Sequence, residues 1–300
     1  MRTTRIAAAV LILLGLADVA SAQRPAPKGA KVVRDLEFAR VGDRSLALDL
    51  YLPEEGEGPF PVLVAIHGGA WLAGDRNGAM GIDQAGRGYA VASITYRLSQ
   101  AARFPAQIED CKAAVRWLRD HAGKYNLDPD RFGAIGHSAG GHLASLLGTT
   151  GDVKEFDKGD HLDQSSRIQA VCALSGPSDL LQMGAHAPKD SVINHDAPDA
   201  PEAKLIGGAV QENKEKAAKA NPITYISRDD PPFLLIHGDA DNVVPCHQSE
   251  LMVDALKKAG IPAELYKVPG AGHGIGGKEV NERISRFLDA NLRGKKPAGG

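Results

Sequence analysis

Residues 131–147 read RFGAIGHSAGGHLASLL, with the pentapeptide Gly-His-Ser-Ala-Gly at positions 136–140. The mainly apolar run before it is typical of a strand, and the run after it is typical of the first turns of a helix. A serine on a tight turn between a strand and a helix has its hydroxyl held at the top of a sheet, and glycines flank it because side chains would clash in so sharp a bend. This context predicts that Ser138 is a nucleophile. A glycine-rich turn with an incidental serine is the structural alternative.

A second motif lies upstream, where the apolar run 60–66 is followed by HGGAW at positions 67–71. An apolar run that ends in this way is typical of a buried parallel strand at the point where it leaves the sheet. When a serine attacks an ester carbonyl, negative charge develops on the carbonyl oxygen, and backbone N–H groups aimed at that oxygen stabilise it. Because glycines let the loop backbone approach closely, we expect the N–H groups of Gly69, Ala70 and Ala139 to form the oxyanion hole.

The two large side chains of this loop have different expected roles. His67 is expected to brace the loop and not to act as the catalytic base. Trp71 is expected to contact substrate as a wall of the acyl pocket, with packing in the core as the structural alternative.

Two further strand ends carry an acid and a histidine. One apolar run is followed by HGDADNVVP at positions 237–245, and a later one by the glycine-rich loop PGAGHG at positions 269–274. His273 can act as the base that activates a serine, and Asp239 or Asp241 can orient it. The chain order of serine, acid and histidine differs from the orders of the chymotrypsin and subtilisin arrangements.

These motifs, in this order and each at a strand end, resemble those of α/β-hydrolases of the carboxylesterase and lipase superfamily. The chain is most similar to the secreted carbohydrate-esterase branch, the feruloyl and acetylxylan esterases with HGGxW and GHSAGG motifs. The likeness extends from about Val32 to Leu292. It departs from the hormone-sensitive-lipase pattern at Ala70, where that family has a third glycine, and at His137, where it usually has Asp. Both departures weaken any transfer of substrate preference from that family.

The resemblance also selects the acid. In hydrolases with the pattern HGxxDxxVP the aspartate in the middle faces the histidine loop, and Asp241 occupies that position. The implied triad is therefore Ser138, Asp241 and His273, in which the histidine takes the serine proton and the aspartate holds the histidine in the right tautomer. The implied reaction is ester hydrolysis through a covalent acyl-enzyme, which requires no cofactor and no metal ion.

Alternating strand and helix patterns predict an α/β-hydrolase fold, with an eight-stranded, mostly parallel sheet flanked by helices. The first two strands leave no room for a helix between them, so we expect an antiparallel hairpin. Between the sixth and seventh strands, a polar, proline-broken segment at about 181–230 is expected to form a lid, with an ordinary surface insertion as the alternative. The predicted strands are 32–38, 45–52, 62–66, 90–96, 132–135, 170–174, 233–236 and 264–268, and the predicted helices are 78–87, 105–125, 139–148, 202–206, 213–219, 245–259 and 277–292.

Residues 1–22 have the order of a secretory signal peptide: two arginines, an apolar stretch over positions 6–16, and Ala-Ser-Ala at positions 20–22. The apolar stretch is too short to span a bilayer. We therefore expect cleavage after Ala22 and a secreted or periplasmic protein.

The remaining chain is expected to form one hydrolase domain over residues 31–293. The Pro-, Gly- and Lys-rich segments 23–30 and 294–300 are expected to be a disordered linker and a disordered tail. No second hydrophobic segment suggests a membrane anchor.

Composition excludes several classes of function. The formal net charge is −2 and no basic stripe is present, which argues against nucleic-acid binding. The three cysteines, Cys111, Cys172 and Cys246, are too few and too scattered for a disulfide framework or a zinc site. The oligomeric state is left open by the sequence.

The expected substrate follows from the resemblance together with export. Both favour acetyl or feruloyl esters of polysaccharide, so the expected partner is a small ester or an acylated oligosaccharide. The chain has only 7 Phe, 6 Tyr and 2 Trp, which argues against a long aromatic-lined groove and favours a small acyl pocket. An aryl-formamidase, a general short-chain carboxylesterase and a catalytically inactive hydrolase-fold binding module are the alternatives.

Overall fold

The structure, a computed structural model, describes residues 23–293, so the signal peptide expected at 1–22 and the tail expected at 294–300 lie outside the described residues. Within 23–293, eight strands form one sheet. They are β1 Ala30–Val41, β2 Arg44–Pro53, β3 Phe60–Ile66, β4 Ala90–Ile94, β5 Leu127–His137, β6 Ala170–Leu174, β7 Phe233–Gly238 and β8 Ala263–Val268. The α-helices are α1 Ala106–Asp120, α2 Ala122–Tyr125, α3 Ala139–Thr149, α4 Pro201–Ile206, α5 Lys214–Ala220, α6 His247–Ala259 and α7 Lys278–Leu292.

The strand order is β1-β2-β4-β3-β5-β6-β7-β8. The first two strands form the antiparallel hairpin that the sequence predicts, and β2 is also antiparallel to β4. All other neighbouring pairs are parallel. The carboxyl ends of β3, β5, β7 and β8 therefore lie along the same edge of the sheet, which is where ligands bind in open α/β sheets. The predicted fold class is confirmed.

The apolar runs of the parallel strands are explained by burial on both faces of the sheet. In β3 the side chains of Val62, Val64 and Ile66 lie in one core, whereas those of Leu63 and Ala65 lie in the other. Helices α1, α3 and α6 cover the first core, and α7 with a short 3₁₀ segment covers the second. Parallel strands covered on both faces have this near-continuous apolar sequence.

Two predicted helices differ in form. The segment predicted as a helix over 78–87 is a 3₁₀ helix at Ile82–Arg87, bounded by Gly81 and Gly88 with left-handed backbone (φ 80° and 92°). The segment predicted over 105–125 divides at His121 into α1 and α2. In both segments the sequence pattern marks the buried face but not the residues at which helical backbone geometry ends.

The segment 23–30 makes defined contacts, contrary to the expectation of a disordered linker. The Arg24 guanidinium donates to the carbonyl of Ala79 at 2.8 Å, and the Arg24 backbone N–H donates to Asn77 Oδ1 at 3.2 Å. Strand β1 then begins at Ala30. Composition alone does not predict this contact, because it depends on a loop carbonyl that lies within reach of the Arg24 guanidinium only in the folded chain.

The segment 181–230 forms α4, α5 and short 3₁₀ turns, and its two helices agree with those predicted there. Its apolar side chains, including Leu205, Val210 and Ala217, belong to the same core as α1 and α3. The segment also reaches the acid turn, where the Val192 N–H donates to the carbonyl of Asn242 at 3.0 Å. A role as a lid stays a prediction. No helix within 23–293 combines the length and apolar character needed to cross a membrane.

Candidate active site

Ser138 lies on the sharp turn between β5 and α3. Its backbone angles, φ 58° and ψ −123°, are outside the regions that L-residues favour. The surrounding structure holds it there, since the Ser138 N–H donates to the carbonyl of Leu174 at 2.8 Å and its carbonyl accepts from the His142 N–H at 3.0 Å. Strained backbone of this kind is concentrated at functional sites, where the rest of the fold over-determines it.

Glycines on either side of the serine are required by close backbone packing. A Cβ at Gly136 would lie 2.2 Å from the carbonyl oxygen of Gly140, and a Cβ at Gly140 would lie 2.1 Å from the carbonyl oxygen of Ile66. Both distances are far inside van der Waals contact with backbone atoms that cannot move independently. The two glycines therefore allow the turn and also its approach to the end of β3.

The HGGAW loop leaves β3 beside this turn. A Cβ at Gly68 would lie 2.9 Å from the carbonyl oxygen of His137 and 3.5 Å from Cβ of Ser138, so the loop backbone passes next to the serine. Gly69, Ala70 and Trp71 have consecutive positive φ values of 109°, 56° and 58°. In a loop with such backbone angles, successive N–H groups can leave the alternating directions of a strand and face a common anion.

His67 and Trp71 anchor the loop in the core. The ring of His67 is 2% exposed and stacks on Tyr96 at 4.2 Å, and burial lowers the pKa of His67. The Trp71 indole is also 2% exposed, and its N–H donates to Nδ1 of His142 at 3.2 Å. These contacts agree with the bracing role expected for His67 and account for Trp71 as a packing residue. Substrate contact by Trp71 stays a prediction.

Asp241 and His273 are hydrogen-bonded to each other. Nδ1 of His273 lies 2.8 Å from Oδ2 of Asp241, and the other carboxylate oxygen accepts from the N–H groups of Val243 and Val244 at 2.8 and 2.9 Å. The aspartate is buried, whereas the side chain of His273 is 19% exposed. An acid that is fixed on one side and bonded to a partly exposed imidazole can hold that imidazole in one tautomer.

A second histidine contacts the same carboxylate. Nε2 of His237 lies 2.9 Å from the carbonyl oxygen of Val244 and 3.2 Å from Oδ2 of Asp241, so its N–H is shared between the two. Its Nδ1 accepts from the Ser249 hydroxyl at 2.7 Å. Burial alone would raise the pKa of Asp241, but the hydrogen bonds from His237, His273 and the two backbone N–H groups hold it well below its ordinary value. The carboxylate is therefore ionised throughout the neutral range.

Asp239, the other candidate acid, has a different contact. It is exposed, and its Oδ1 accepts from the N–H of Gly270 at 2.6 Å. Asp239 therefore holds the start of the histidine loop, while Asp241 bonds to the histidine itself.

His137 connects the histidine loop to the serine turn. Its Nε2–H donates to the backbone carbonyl of His273 at 2.7 Å, and the two rings are 4.7 Å apart. The residue next to Ser138 thus fixes the backbone of His273 from outside the glycine-rich loop. Burial lowers the pKa of His137, which favours the neutral ring. From the sequence, His137 is notable only because the hormone-sensitive-lipase pattern usually has Asp at this position.

The family model described as BD-FAE matches residues 48–256, which contain the serine turn, the HGGAW loop and the acid turn. The chain belongs to the BD-FAE family of α/β-hydrolase esterases. Among curated relatives, it is similar to esterase LipC of Mycobacterium tuberculosis, with 31% identity over 72% of this chain and 53% of the relative. It is also similar to esterase LipQ of the same organism, with 29% identity over 91% of this chain and 66% of the relative. The chain spans about half the length of the first of these relatives.

Several solved structures are similar to this chain over most of its length. A truncated form of a carbohydrate esterase from gut microbiota has 34% identity and a TM-score of 0.78, covering 89% of this chain and 98% of that chain. A bifunctional GH43-CE protein of Bacteroides eggerthii has 38% identity and a TM-score of 0.79, covering 86% of this chain and 38% of that chain. The butyrate-bound esterase Est2 of Thermogutta terrifontis has 28% identity and a TM-score of 0.67, covering 88% of this chain and 92% of that chain.

His142 links the HGGAW loop to the 181–230 segment and should make stability depend on pH. Besides accepting from Trp71, its Nε2–H donates to the carbonyl of Ala220 at 2.7 Å, and complete burial lowers its pKa to about 4. Between pH 6.5 and 4 the unfolded chain therefore binds more protons at this residue, so the free energy of unfolding falls as pH falls. The free energy of unfolding should therefore fall by up to about 3 kcal/mol because of this residue.

Urea unfolding at pH 7 and pH 4.5 measures this effect. A His142→Gln variant lacks the titrating ring but keeps a donor and an acceptor, so the difference in unfolding free energy between the two pH values should be smaller than in the parent. An equal difference in the two proteins would show that His142 does not carry the effect.

Proposed function

We propose that this protein is a serine esterase that hydrolyses short-chain carboxylic esters, with Ser138 as nucleophile, His273 as base and Asp241 as the acid that orients the base. One observation carries the proposal. His273 is bonded through its ring to Asp241 at 2.8 Å and through its backbone carbonyl to His137, the residue that precedes the strained serine. These contacts support a triad in which three loops at one edge of the sheet supply a nucleophile, a base and an ionised acid.

The chemistry follows from these positions. The Nδ1–H of His273 donates to Asp241, which leaves Nε2 with the lone pair that accepts the Ser138 proton as Oγ bonds to the ester carbonyl carbon. The resulting imidazolium is stabilised by the ionised carboxylate. It then gives its proton to the leaving alcohol as the C–O bond breaks and the acyl-enzyme forms. A water molecule, deprotonated by the same Nε2, attacks the acyl carbon, and the returning proton restores the Ser138 hydroxyl and releases the carboxylic acid.

Negative charge on the carbonyl oxygen would be held by the backbone N–H groups of Gly69, Ala70 and Ala139. The HGGAW loop passes beside Ser138, and Ala139 is the first residue of α3, where N–H groups have no partner within the helix. The positive φ values at Gly69 and Ala70 support this assignment, and the hydrogen bond from Trp71 to His142 helps to hold the loop in place as charge develops.

Two cavities near the HGGAW loop are of a size for small substrate groups, although the lining of neither includes Ser138, Asp241 or His273. One of about 320 Å³ is lined by the loop glycines, Met80 and His137, and the other of about 400 Å³ by Leu72, Ser99 and Arg103 with part of the 181–230 segment. Both volumes are at the lower end of those that hold small ligands. With a structural relative described as a carbohydrate esterase, this favours acetyl or feruloyl esters on an oligosaccharide.

Three substrates separate this proposal from its alternatives. Acetylated xylan oligosaccharides and methyl ferulate should be hydrolysed, whereas N-formylkynurenine, the substrate of an aryl-formamidase, should not. A preference for N-formylkynurenine in kcat/KM would contradict the carbohydrate-ester assignment. If no ester is hydrolysed in a Ser138-dependent way, the protein is a binding module on a hydrolase fold.

Acyl-chain length provides a test of pocket size. Along a series of p-nitrophenyl esters from C2 to C16, kcat/KM should be highest for the short chains and fall steeply beyond about eight carbons, because cavities of this size offer too little apolar wall. A maximum at C12 or longer would indicate a lipase and contradict the proposal.

His137 is expected to position His273. In a His137→Ala variant the glycine-rich loop loses its bond from the serine turn, and kcat for p-nitrophenyl acetate should fall about 10- to 100-fold with KM little changed, because a small displacement of the base is costly. A His137→Gln variant places an amide N–H near the position of Nε2 and should recover part of kcat. Equal loss in both variants, or an effect confined to KM, would contradict the positioning role.

A further inference from the structure

Three side chains at the end of α1 form a group that the proposed reaction does not use. Asp120 is the last residue of α1, His121 follows it, and His161 lies in the loop over 157–169 that precedes β6. One ring nitrogen from each histidine and one carboxylate oxygen lie within 4.8 Å of one another. We propose that Asp120, His121 and His161 bind a divalent transition-metal ion, with Zn²⁺ as the best fit and water as the fourth ligand.

The distances within the group suit a tetrahedral ion. Nδ1 of His161 lies 3.3 Å from Oδ2 of Asp120, and Nδ1 of His121 lies 3.5 Å from the same oxygen. Ligand atoms bound to one zinc ion at bonds of about 2.0–2.1 Å are about 3.4 Å apart when the geometry is tetrahedral. The two rings meet edge to face at 78°, so they do not block each other's approach to a shared ion.

The donor set selects the class of metal. Two imidazoles and one carboxylate suit Zn²⁺ and its neighbours in the transition series, whereas Mg²⁺ and Ca²⁺ require mostly oxygen ligands. The Nδ1–H of His121 also donates to the carbonyl of Trp117 at 2.9 Å. Coordination through this nitrogen requires the ring to change tautomer, with the proton moving by way of solvent from Nδ1 to Nε2, and it breaks the bond to Trp117, so we expect a moderate affinity.

The loop that carries His161 is fixed to the helix that carries the other two ligands. Arg116 Nε donates to the carbonyl of Asp160, and Arg119 donates to the carbonyl of Arg167 at 2.8 Å. Also before His161 in the sequence, Asp157 pairs with Lys112 at 3.0 Å. Both flanks of the histidine are therefore tied to α1, so the three ligands are arranged before the ion binds.

The backbone of His161 is itself unusual. Its φ of 53° is in the left-handed region, where a residue with a Cβ is strained. With this backbone, Nδ1 of His161 lies 3.3 Å from Oδ2 of Asp120. Strain at a histidine in a firmly held loop is an outlier of the kind that marks ligand-binding positions.

The ion would stabilise the fold and leave the chemistry unchanged. Arg119 bonds to the carbonyl of Pro129 in the first part of β5, whereas Ser138 follows the last residue of that strand. The group is therefore near the opposite edge of the sheet from the candidate active site. Because the ion binds only the folded chain, it should raise the melting temperature without altering kcat.

Thermal unfolding of protein without a histidine tag, first stripped with EDTA, tests the proposal. Zinc at about 100 times its Kd should raise the Tm by about 5 °C or more, and dialysis followed by elemental analysis should find one zinc per chain. Turnover of p-nitrophenyl acetate should be unchanged. Mg²⁺ and Ca²⁺ at the same concentration should have no effect.

Matched variants identify the ligands. A His161→Gly variant should lose the response to zinc while its metal-free Tm is unchanged or higher, because glycine relieves the left-handed strain. An Asp120→Asn variant should bind zinc at least tenfold more weakly. A His186→Ala variant should respond as the parent does, since that exposed histidine stacks on His247 outside the group. The absence of zinc stabilisation in the parent, or its persistence in His161→Gly, would overturn the proposal.

Discussion

Replacement of Ser138 by alanine is expected to lower kcat for p-nitrophenyl acetate by about 10⁴-fold or more, because no acyl-enzyme can form without the hydroxyl. The hydroxyl is carried by the strained turn beside the HGGAW loop, and alanine offers no nucleophile at that position. Activity of both purified proteins should be measured as initial rates over a range of substrate concentrations. Alanine keeps the Cβ that the turn already accommodates, so the Tm of the variant should be close to that of the parent.

A Ser138→Ala variant that is folded and retains more than about one hundredth of the parent kcat would contradict the assignment of the nucleophile. A lower Tm in the variant would not change this interpretation, because activity is measured at a temperature well below the unfolding transition.

Replacement of Asp241 by asparagine is expected to lower kcat by about 10⁴-fold, because the amide stabilises the wrong tautomer of His273 and cannot stabilise the imidazolium. The size of the effect follows from burial: the Asp241 side chain is fully buried and its carboxylate accepts four hydrogen bonds, so water cannot replace it. Asp239→Asn is the matched control, two residues away on the same turn. Within residues 23–293 the Asp239 side chain bonds only to the Gly270 N–H, an interaction that asparagine can also make, so kcat should fall less than about tenfold.

Comparison of the two aspartates by kcat at pH 8 decides between them. A larger loss in Asp239→Asn than in Asp241→Asn would show that the wrong acid is assigned, whatever the absolute values.

Much of the fold could be predicted because its strands are buried on both faces. A run such as 62–66 has no polar alternation to obscure it, and each such run ends in a motif with glycine or charged residues. Because Ser138, Asp241 and His273 each follow the carboxyl end of a strand predicted to be parallel, the sequence predicts that they lie along one edge of the sheet.

Three histidines that support this site were not predicted, because their partners lie apart from them in the sequence. His137 bonds to a carbonyl 136 residues away, His142 to one 78 residues away, and the ring of His237 is shared among three partners that only the folded turn brings together. A lone histidine in an apolar run has no spacing that reveals such bonds. The proposed zinc ligands are missed for the same reason, since His161 lies 40 residues after His121 and in no recognisable metal motif.

Covalent trapping of the nucleophile tests the central claim most directly. A p-nitrophenyl phosphonate that resembles a short ester should transfer one phosphonyl group to the protein with release of one p-nitrophenol, and peptide mass spectrometry should locate the group on Ser138. Labelling should be absent in Ser138→Ala and at least about 100-fold slower in Asp241→Asn than in the parent. Stoichiometric labelling at another residue, or no labelling of a protein that hydrolyses p-nitrophenyl acetate, would contradict the proposed serine esterase.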